Sequence, residues 1–183
     1  YVDSLDSKEK TVAACSHFRE GDAYKICELN SAYLYFNSGV LLFHPNEFRK
    51  KINPKTIQNV AIKKPQILDY ADQSPMNYLL KGKVKWMEYI YNSETWHFIE
   101  NITFYKSEIN PIAELLDFSI ERAINESKVI HFTGVKPWDI INSGLQYENE
   151  PKNIQFWINA KNEFIKKYGI CPLLDIEKYE TKL

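Results

Sequence analysis

The sequence predicts an α/β fold in which helices flank a mixed sheet, and three observations favour this class. Short apolar segments of strand length alternate along the chain with longer segments that carry helix-capping residues. Hydrophobic residues make up 44% of the chain and charged residues 26%, as in ordinary globular proteins. A chain of this length buries roughly 70% of its unfolded surface, so residues 1–183 are expected to form a single domain.

Two strands are expected in the first 45 residues. Residues 11–18 are a short run of β-branched and small residues, which is typical of a buried strand. Residues 32–45 form a longer apolar run that Asn37, Ser38 and Gly39 interrupt. Because glycine tolerates backbone arrangements that other residues do not, the interruption predicts a β-bulge or a close backbone approach.

Prolines mark the starts of the next helices. Pro45 stands at the first position of a helix that continues through residues 46–51. A second helix is expected with Ser74 as its N-cap, Pro75 at its first position and Gly82 as its stop.

The second half of the chain continues the alternation. Strand character is weak over residues 83–92 and 96–105, where the apolar alternation is imperfect. Apolar spacing and a capping asparagine predict a helix over 110–128, and a short strand into a turn follows over 129–134. Proline and glycine bound an amphipathic helix over 151–169.

Charge, cysteine content and hydropathy exclude several classes of protein. The 23 Lys plus Arg residues balance 24 Asp plus Glu residues, so no overall basic field attracts nucleic acid. Cys15, Cys27 and Cys171 are odd in number and form no CxxC pair, which argues against a disulfide framework or a zinc site and favours a reducing cytoplasm. No apolar run approaches the roughly 18 residues that a membrane span needs.

The stretch "HFTGVKPW", residues 131–138, contains a candidate binding site for phosphate and a metal ion. A neutral imidazole at His131 is a competent ligand for Mn²⁺ or a similar divalent ion. Gly134 lets the backbone reach a phosphate oxygen, and Lys136 supplies a cation for the same group. The alternative is that His131 is a hydrogen-bonded histidine of the core or of a turn. The other histidines have no ligand-like neighbours at useful spacing and are expected at the surface or in turns: His17, His44 and His97.

Two further polar positions are candidates for contact with a sugar. Asp72 and Gln73 precede a capped helix, where they could orient hydroxyl groups or stabilise positive charge at an anomeric carbon. A polar loop that only caps the helix is the alternative. Asn37 interrupts an apolar strand, and its buried amide needs partners that either a ligand or the bulge backbone can supply.

The segments "YFNSGVLLF", "ADQSPMNYLLKGK" and "HFTGVKPW" together resemble glycosyltransferase family 8, in that order. The resemblance runs from Val12 to about Lys166. It implies a GT-A fold and a retaining transfer that uses a UDP-linked sugar and Mn²⁺. By the same resemblance, His131 is the metal ligand, and Gly134 and Lys136 are the diphosphate contacts. The donor-sugar pocket would be lined by Asn37, Ser38, Gly39, Asp72 and Gln73, of which Asp72 and Gln73 would lie at the anomeric centre as the catalytic pair.

The N-terminus departs from the family pattern. The family carries a DxD metal motif at a strand end, and "YVDSLD" begins like that motif, but Leu5 stands where the second aspartate belongs. The protein ligands for a metal are then His131 and at most Asp3. We therefore expect a partial GT-A-like domain over residues 1–183 that is truncated at its N-terminus.

Two functions follow from these observations. The first is transfer of a hexose from a UDP-sugar to a saccharide acceptor of the surface-glycan or lipopolysaccharide type. The protein would be cytoplasmic, or it would lie at the inner face of the membrane as a peripheral protein. The alternative is a non-catalytic remnant that binds glycans or another protein and associates through an exposed sheet edge.

Overall fold

The computed structural model describes residues 10–17, 23–98, 119–134, 136–137 and 153–169. Within these ranges the strands are β1 (Val12–Ser16), β2 (Phe36–Phe43), β3 (Val84–Met87), β4 (Ser93–Glu94) and β5 (Ile130–His131). The helices are α1 (Ala23–Ile26), α2 (Pro45–Lys51), α3 (Pro54–Lys63), α4 (Gln73–Leu79), α5 (Ile120–Glu126) and α6 (Asn153–Tyr168). Short 3-10 segments cover Ala32–Leu34, Pro65–Tyr70, Tyr89–Tyr91 and Thr95–Phe98. No helix of these ranges has the length and apolar character that crossing a bilayer requires.

The larger sheet is mixed, as predicted. Its strand order is β2-β1-β3, with β1 antiparallel to β2 and parallel to β3. Val12 lies opposite Phe43 on one side and Val84 on the other. β4 and β5 form a separate two-stranded parallel sheet that pairs Glu94 with His131. The α/β class with a mixed sheet flanked by helices is therefore confirmed.

The central strand β1 is buried on both faces, and this explains its unbroken run of small and apolar residues. Every residue from Val12 to Ser16 is at most 4% exposed. Successive side chains of a strand point to opposite faces, so β1 contributes to two core clusters. One cluster contains Val12, Ala14, Phe36, Ile52, Met76, Leu80 and Val84, and the other contains Ala13, Cys15 and Met87.

The predicted interruption of the second strand is a β-bulge. Ala14 pairs with Leu41 and Ser16 with Phe36, so two steps along β1 face five steps along β2. The extra length lies at residues 37–39. β2 nevertheless continues as one strand through this point instead of breaking and resuming. The bulge turns the polar "NSG" segment out of the regular strand ladder.

The start of the helix after residue 71 differs from the prediction. α4 begins at Gln73 with Asp72 at its N-cap, so the assignment of Ser74 as the N-cap is wrong. The hydroxyl of Ser74 instead lies 2.7 Å from the hydroxyl of Tyr35, within the core. This tertiary hydrogen bond, rather than a local cap, is the role of the serine. Gly82 follows the helix with φ of 75°, which is the left-handed backbone expected at a helix stop.

The predicted helix over residues 110–128 is also corrected. Ser119 has an extended backbone, with φ of −143° and ψ of 150°, and its side chain accepts a hydrogen bond from the backbone N–H of Arg122. Ser119 is thus an N-cap, and α5 begins directly after it. Asn110 and Pro111 lie outside the described residues. The final predicted helix is confirmed as α6, which is followed by Gly169 with φ of 78°.

Strand character after residue 82 ends sooner than predicted. β3 stops at Met87, and the 3-10 turn over Tyr89–Tyr91 follows it. Thr95–Phe98 is a further 3-10 segment in place of the start of a strand. Residues 99–105 of the same prediction lie outside the described part of the chain.

Asn77 of α4 holds the start of β2. Its side chain is 1% exposed and accepts a hydrogen bond from Phe36 N at 2.8 Å. Its amide nitrogen donates to Phe36 O at 2.8 Å and to Gln73 O at 3.0 Å. One amide side chain therefore satisfies both backbone groups of Phe36 and fixes the helix beside the bulge.

Replacing Asn77 with Ala should lower the free energy of unfolding by about 3 kcal/mol, because each buried backbone group left without a partner costs roughly 1–3 kcal/mol. Urea denaturation measures this. The matched control is Asn53→Ala, which removes the capping box of α3 at the protein surface and should cost only about 1 kcal/mol. Equal losses in the two variants would contradict the bracing role of Asn77.

Candidate active site

Polar side chains gather where the bulge of β2 meets the N-terminus of α4, the end of β1 and the small β4-β5 sheet. Most of them are buried, although polar groups are rare in protein cores unless they are hydrogen-bonded. The side chains of the cluster belong to His17, Asn37, Ser38, Gln73, Asn92, Glu94, His97 and His131, and the backbone N–H of Gly39 joins them. Ligand sites of α/β proteins commonly lie at such strand ends.

Gln73 and Ser38 join α4 to the bulge. The side-chain oxygen of Gln73 accepts a hydrogen bond from Ser38 N at 2.9 Å, and the hydroxyl of Ser38 lies 3.4 Å from the same oxygen. Gln73 is buried at the first position of α4, whereas Asp72 is exposed at the N-cap and makes no capping hydrogen bond with its side chain. The structure thus separates the two neighbours into a buried amide and an exposed carboxylate.

Asn37 is the centre of the cluster. Its side-chain oxygen accepts hydrogen bonds from Gly39 N at 2.8 Å and from Asn92 Nδ2 at 2.9 Å. Its amide nitrogen donates to Glu94 Oε2 at 3.1 Å. The bond to Gly39 is the one that the bulge-backbone alternative predicted. The other two bonds tie the bulge to β4 and to the residue that precedes it.

Glu94 is a buried carboxylate, 1% exposed, and no local sequence pattern singles it out. Its Oε1 lies 2.8 Å from Nδ1 of His17, so His17 donates to the carboxylate. The same Nδ1 lies 3.3 Å from the amide nitrogen of Asn37, and this is a contact between two donors. The prediction that His17 is a surface or turn residue is wrong. Its place directly after a buried strand is the signal that could have indicated a site.

His97 was also expected at the surface or in a turn, and it lies in the 3-10 turn Thr95–Phe98 but is not at the surface. The side chain is fully buried, and its Nδ1 accepts a hydrogen bond from Glu94 N at 3.0 Å. Burial lowers the pKa of His97 to about 3, against an ordinary value of 6.5, because the charged imidazolium would lose its hydration. A neutral ring therefore holds the backbone of Glu94 in place.

Gly39 and His131 are in direct contact, which is the close approach that the glycine predicted. A Cβ atom added at Gly39 would lie 1.9 Å from Cε1 of His131 and 2.6 Å from Nε2. The imidazole thus occupies the space that any side chain at residue 39 would need. Its Nδ1 lies 3.0 Å from the side-chain oxygen of Asn92.

The chemistry of His131 fits a divalent metal ion. An oxygen acceptor at Nδ1 requires that nitrogen to carry the proton, so the lone pair is on Nε2, the arrangement common to metal-ligating histidines. Burial lowers the pKa of His131, which favours the neutral form that binds metal. No group of three or more His, Cys, Asp or Glu side chains in the described ranges could hold a metal. Asp3, the other expected ligand, lies outside those ranges.

The loop after His131 contains the expected diphosphate contacts. Gly134 is exposed, has φ of 69° and has open space where a Cβ would lie. Only glycine adopts this backbone readily. Lys136 is half-buried, and its ammonium group donates to Phe132 O at 2.5 Å. The loop therefore curls so that Lys136 returns toward β5.

His97 should make folding stability depend on pH. Between pH about 6.5 and 3, only the unfolded state takes up a proton at His97. The free energy of unfolding should therefore be highest above pH 6.5. It should fall by up to about 1.4 kcal/mol for each pH unit below that value. Urea denaturation at several pH values tests this. His97→Asn keeps an acceptor for Glu94 N and should flatten the dependence. An unchanged slope would contradict the assignment.

The fold is similar to that of galactosyltransferase LgtC. A crystal structure of LgtC in complex with donor and acceptor sugar analogs aligns with a TM-score of 0.64 at 20% sequence identity, covering 98% of this chain and 58% of LgtC. An active-site mutant of LgtC, with glutamine replaced by glutamate, aligns with a TM-score of 0.65 at 19% identity, covering 98% of this chain and 59% of that one. The chain thus spans less than three fifths of the length of either structure, and the likeness confirms the GT-A-like architecture.

The sequence itself gives the family. No curated protein matches it at a significant level. The sequence model of glycosyl transferase family 8, however, matches residues 4–142, which include the bulge, the start of α4 and the loop after β5. The chain belongs to glycosyl transferase family 8.

Proposed function

We propose that this chain is a glycosyltransferase that transfers a hexose from a UDP-sugar to a saccharide acceptor with retention of configuration. The observation that carries the proposal is the convergence of Gln73, from α4, and His131, from β5, on the bulge that contains Asn37. Polar side chains held by hydrogen bonds at a strand end suit the recognition of a sugar nucleotide.

His131 would hold Mn²⁺ or another divalent cation through Nε2, with Asp3 as a further ligand. Such an ion would neutralise negative charge on the diphosphate, which departs with the nucleotide. The protein's part is to keep the imidazole neutral and oriented. Burial and the hydrogen bond to Asn92 do this.

Gly134 and Lys136 would bind the diphosphate. The open backbone at Gly134 allows a phosphate oxygen to approach the N–H groups of the loop. The ammonium group of Lys136 has three donors, so it can bind a phosphate oxygen while it retains the bond to Phe132 O. The positive charge would then lie against the leaving group.

Gln73 and Asp72 would act at the anomeric centre. Since the oxygen of Gln73 already accepts from Ser38 N, its amide NH₂ group is the part that can donate to a sugar oxygen. The exposed carboxylate of Asp72 can stabilise the positive charge that develops on the anomeric carbon. Asn37, Ser38 and Gly39 would form the adjoining wall of the donor pocket.

The structural neighbour supports a choice of the first donor to test. LgtC is a galactosyltransferase, so UDP-galactose is the first donor to test. The proposed acceptor is a saccharide of the surface-glycan or lipopolysaccharide type. Hydrolysis or transfer products from UDP-hexoses, separated by chromatography, would identify the donor.

Isothermal titration should show that UDP binds only when Mn²⁺ is present, and His131→Ala should abolish this binding. His44→Ala is the matched control, because His44 follows the opposite end of β2, about five residues and roughly 16 Å along the strand from Gly39. Binding that survives in His131→Ala would exclude the metal role. Absence of UDP binding in the wild type, with and without Mn²⁺, would favour the non-catalytic interaction module.

Gly39→Ala should weaken Mn²⁺-dependent UDP binding by about 10-fold or more while the fold persists. The added methyl group overlaps only the end of the His131 side chain, which can rotate away, but that rotation breaks the bond to Asn92. Titration calorimetry and circular dichroism measure the two effects. Gly82→Ala is the control, since a Cβ at this glycine, between α4 and β3, would meet no atom within 4 Å. Full affinity in Gly39→Ala would show that the ring position is unimportant.

A further inference from the structure

We infer that Glu94 is a positioning residue that fixes the tautomer and basicity of His131 through two intervening amides. The chain of hydrogen bonds runs from His131 Nδ1 to Asn92 Oδ1 at 3.0 Å, from Asn92 Nδ2 to Asn37 Oδ1 at 2.9 Å, and from Asn37 Nδ2 to Glu94 Oε2 at 3.1 Å. Glu94 does not touch the metal position itself. The inference rests on the proposed role of His131 as a ligand.

We call this chain of hydrogen bonds from His131 to Glu94 the relay. Its direction is determined by the groups that can only donate or only accept. Gly39 N–H can only donate, and it donates to the oxygen of Asn37 at 2.8 Å. The amide nitrogen of Asn37 therefore faces the carboxylate of Glu94, which accepts. The amide of Asn92 must then present its nitrogen to Asn37 and its oxygen to His131. His131 has no choice but to donate from Nδ1.

A relay with one direction also strengthens its own bonds. Each donor–acceptor pair polarises the next, and the effect is larger in a buried site than in water. The carboxylate at the far end draws the proton of each link toward itself and so leaves more electron density on Nε2 of His131. Metal-ligating histidines commonly donate directly to a carboxylate or carbonyl, and here two amides extend that arrangement.

The burial of Glu94 argues that it serves the site rather than stability. A carboxylate at 1% exposure loses its hydration, and a buried pair such as His17 with Glu94 often stabilises a fold less than apolar residues would. His17 and the backbone bond to His97 hold the carboxylate in place. The protein therefore retains a carboxylate whose burial is energetically unfavourable, and the hydrogen bonds of this carboxylate lead to the candidate ligand His131.

The tautomer of His131 in the metal-free, full-length chain is the first test, because it needs neither metal binding nor a variant. Long-range ¹H–¹⁵N correlation spectra of the imidazole should show a neutral ring protonated on Nδ1. A ring protonated on Nε2 would overturn the inference. This readout decides the relay even if UDP does not bind, whereas failure of binding with the expected tautomer would count only against the proposed function.

Variants of Glu94 are the second test. Glu94→Gln replaces a group that can only accept with one that can present either its oxygen or its NH₂ group to Asn37, so it should give mixed His131 tautomers, with Mn²⁺–UDP affinity reduced 10- to 100-fold. Glu88→Gln is the matched control, since Glu88 forms an exposed ion pair with Arg122 and should leave both readouts unchanged. Unchanged tautomer and affinity in Glu94→Gln would overturn the inference.

A pair of variants separates positioning from mere structural support. Glu94→Asp keeps a carboxylate, which can only accept, but shortens the side chain, whereas Glu94→Gln keeps the length and loses the obligatory acceptor. Glu94→Asp should therefore retain the Nδ1 tautomer and an affinity closer to the wild type than Glu94→Gln does. If Glu94 served only packing, Glu94→Gln would be the better tolerated of the two, and that result would overturn the inference.

Discussion

The side chain of Asn37 is the interaction on which the rest of the site depends. A β-bulge leaves backbone groups outside the regular ladder, and buried groups of this kind need partners. Asn37 supplies one to Gly39 and at the same time bonds to Asn92 and Glu94. The deformation of β2 and the position of the β4-β5 sheet are therefore coupled through a single amide.

Small residues in β1 make this coupling possible. Ala14 is small and lies on the face of the central strand that packs with Met76 of α4, so α4 lies close enough for Asn77 to reach the backbone of Phe36. The helix then begins beside the bulge and places Gln73 against Ser38. Packing at the centre of the sheet thus determines where the polar groups meet.

Local signals in the sequence predicted the mixed sheet, the bulge and the proline-started helix at Pro45, because each depends on neighbouring residues. Contacts between distant segments were not predicted. Glu94 meets His17 across 77 residues and Asn37 across 57, and no local pattern indicates either contact. Ser74 was misassigned for the same reason, since its partner Tyr35 lies 39 residues away. The family resemblance supplied the order of the motifs and the expected ligands, and only the three-dimensional structure added the residues that hold them.

The contact between Gly39 and His131 also has an evolutionary consequence. The two residues share one volume, because the ring of the histidine fills the place of a side chain on the glycine. The residue types that evolution can accept at one of these positions therefore depend on the residue at the other. A lineage that retains the histidine can accept only hydrogen at residue 39, while one that has lost it is released from that constraint. Related chains should show larger residues at the two positions as alternatives, so that a side chain at residue 39 marks a protein whose histidine no longer lies in this place.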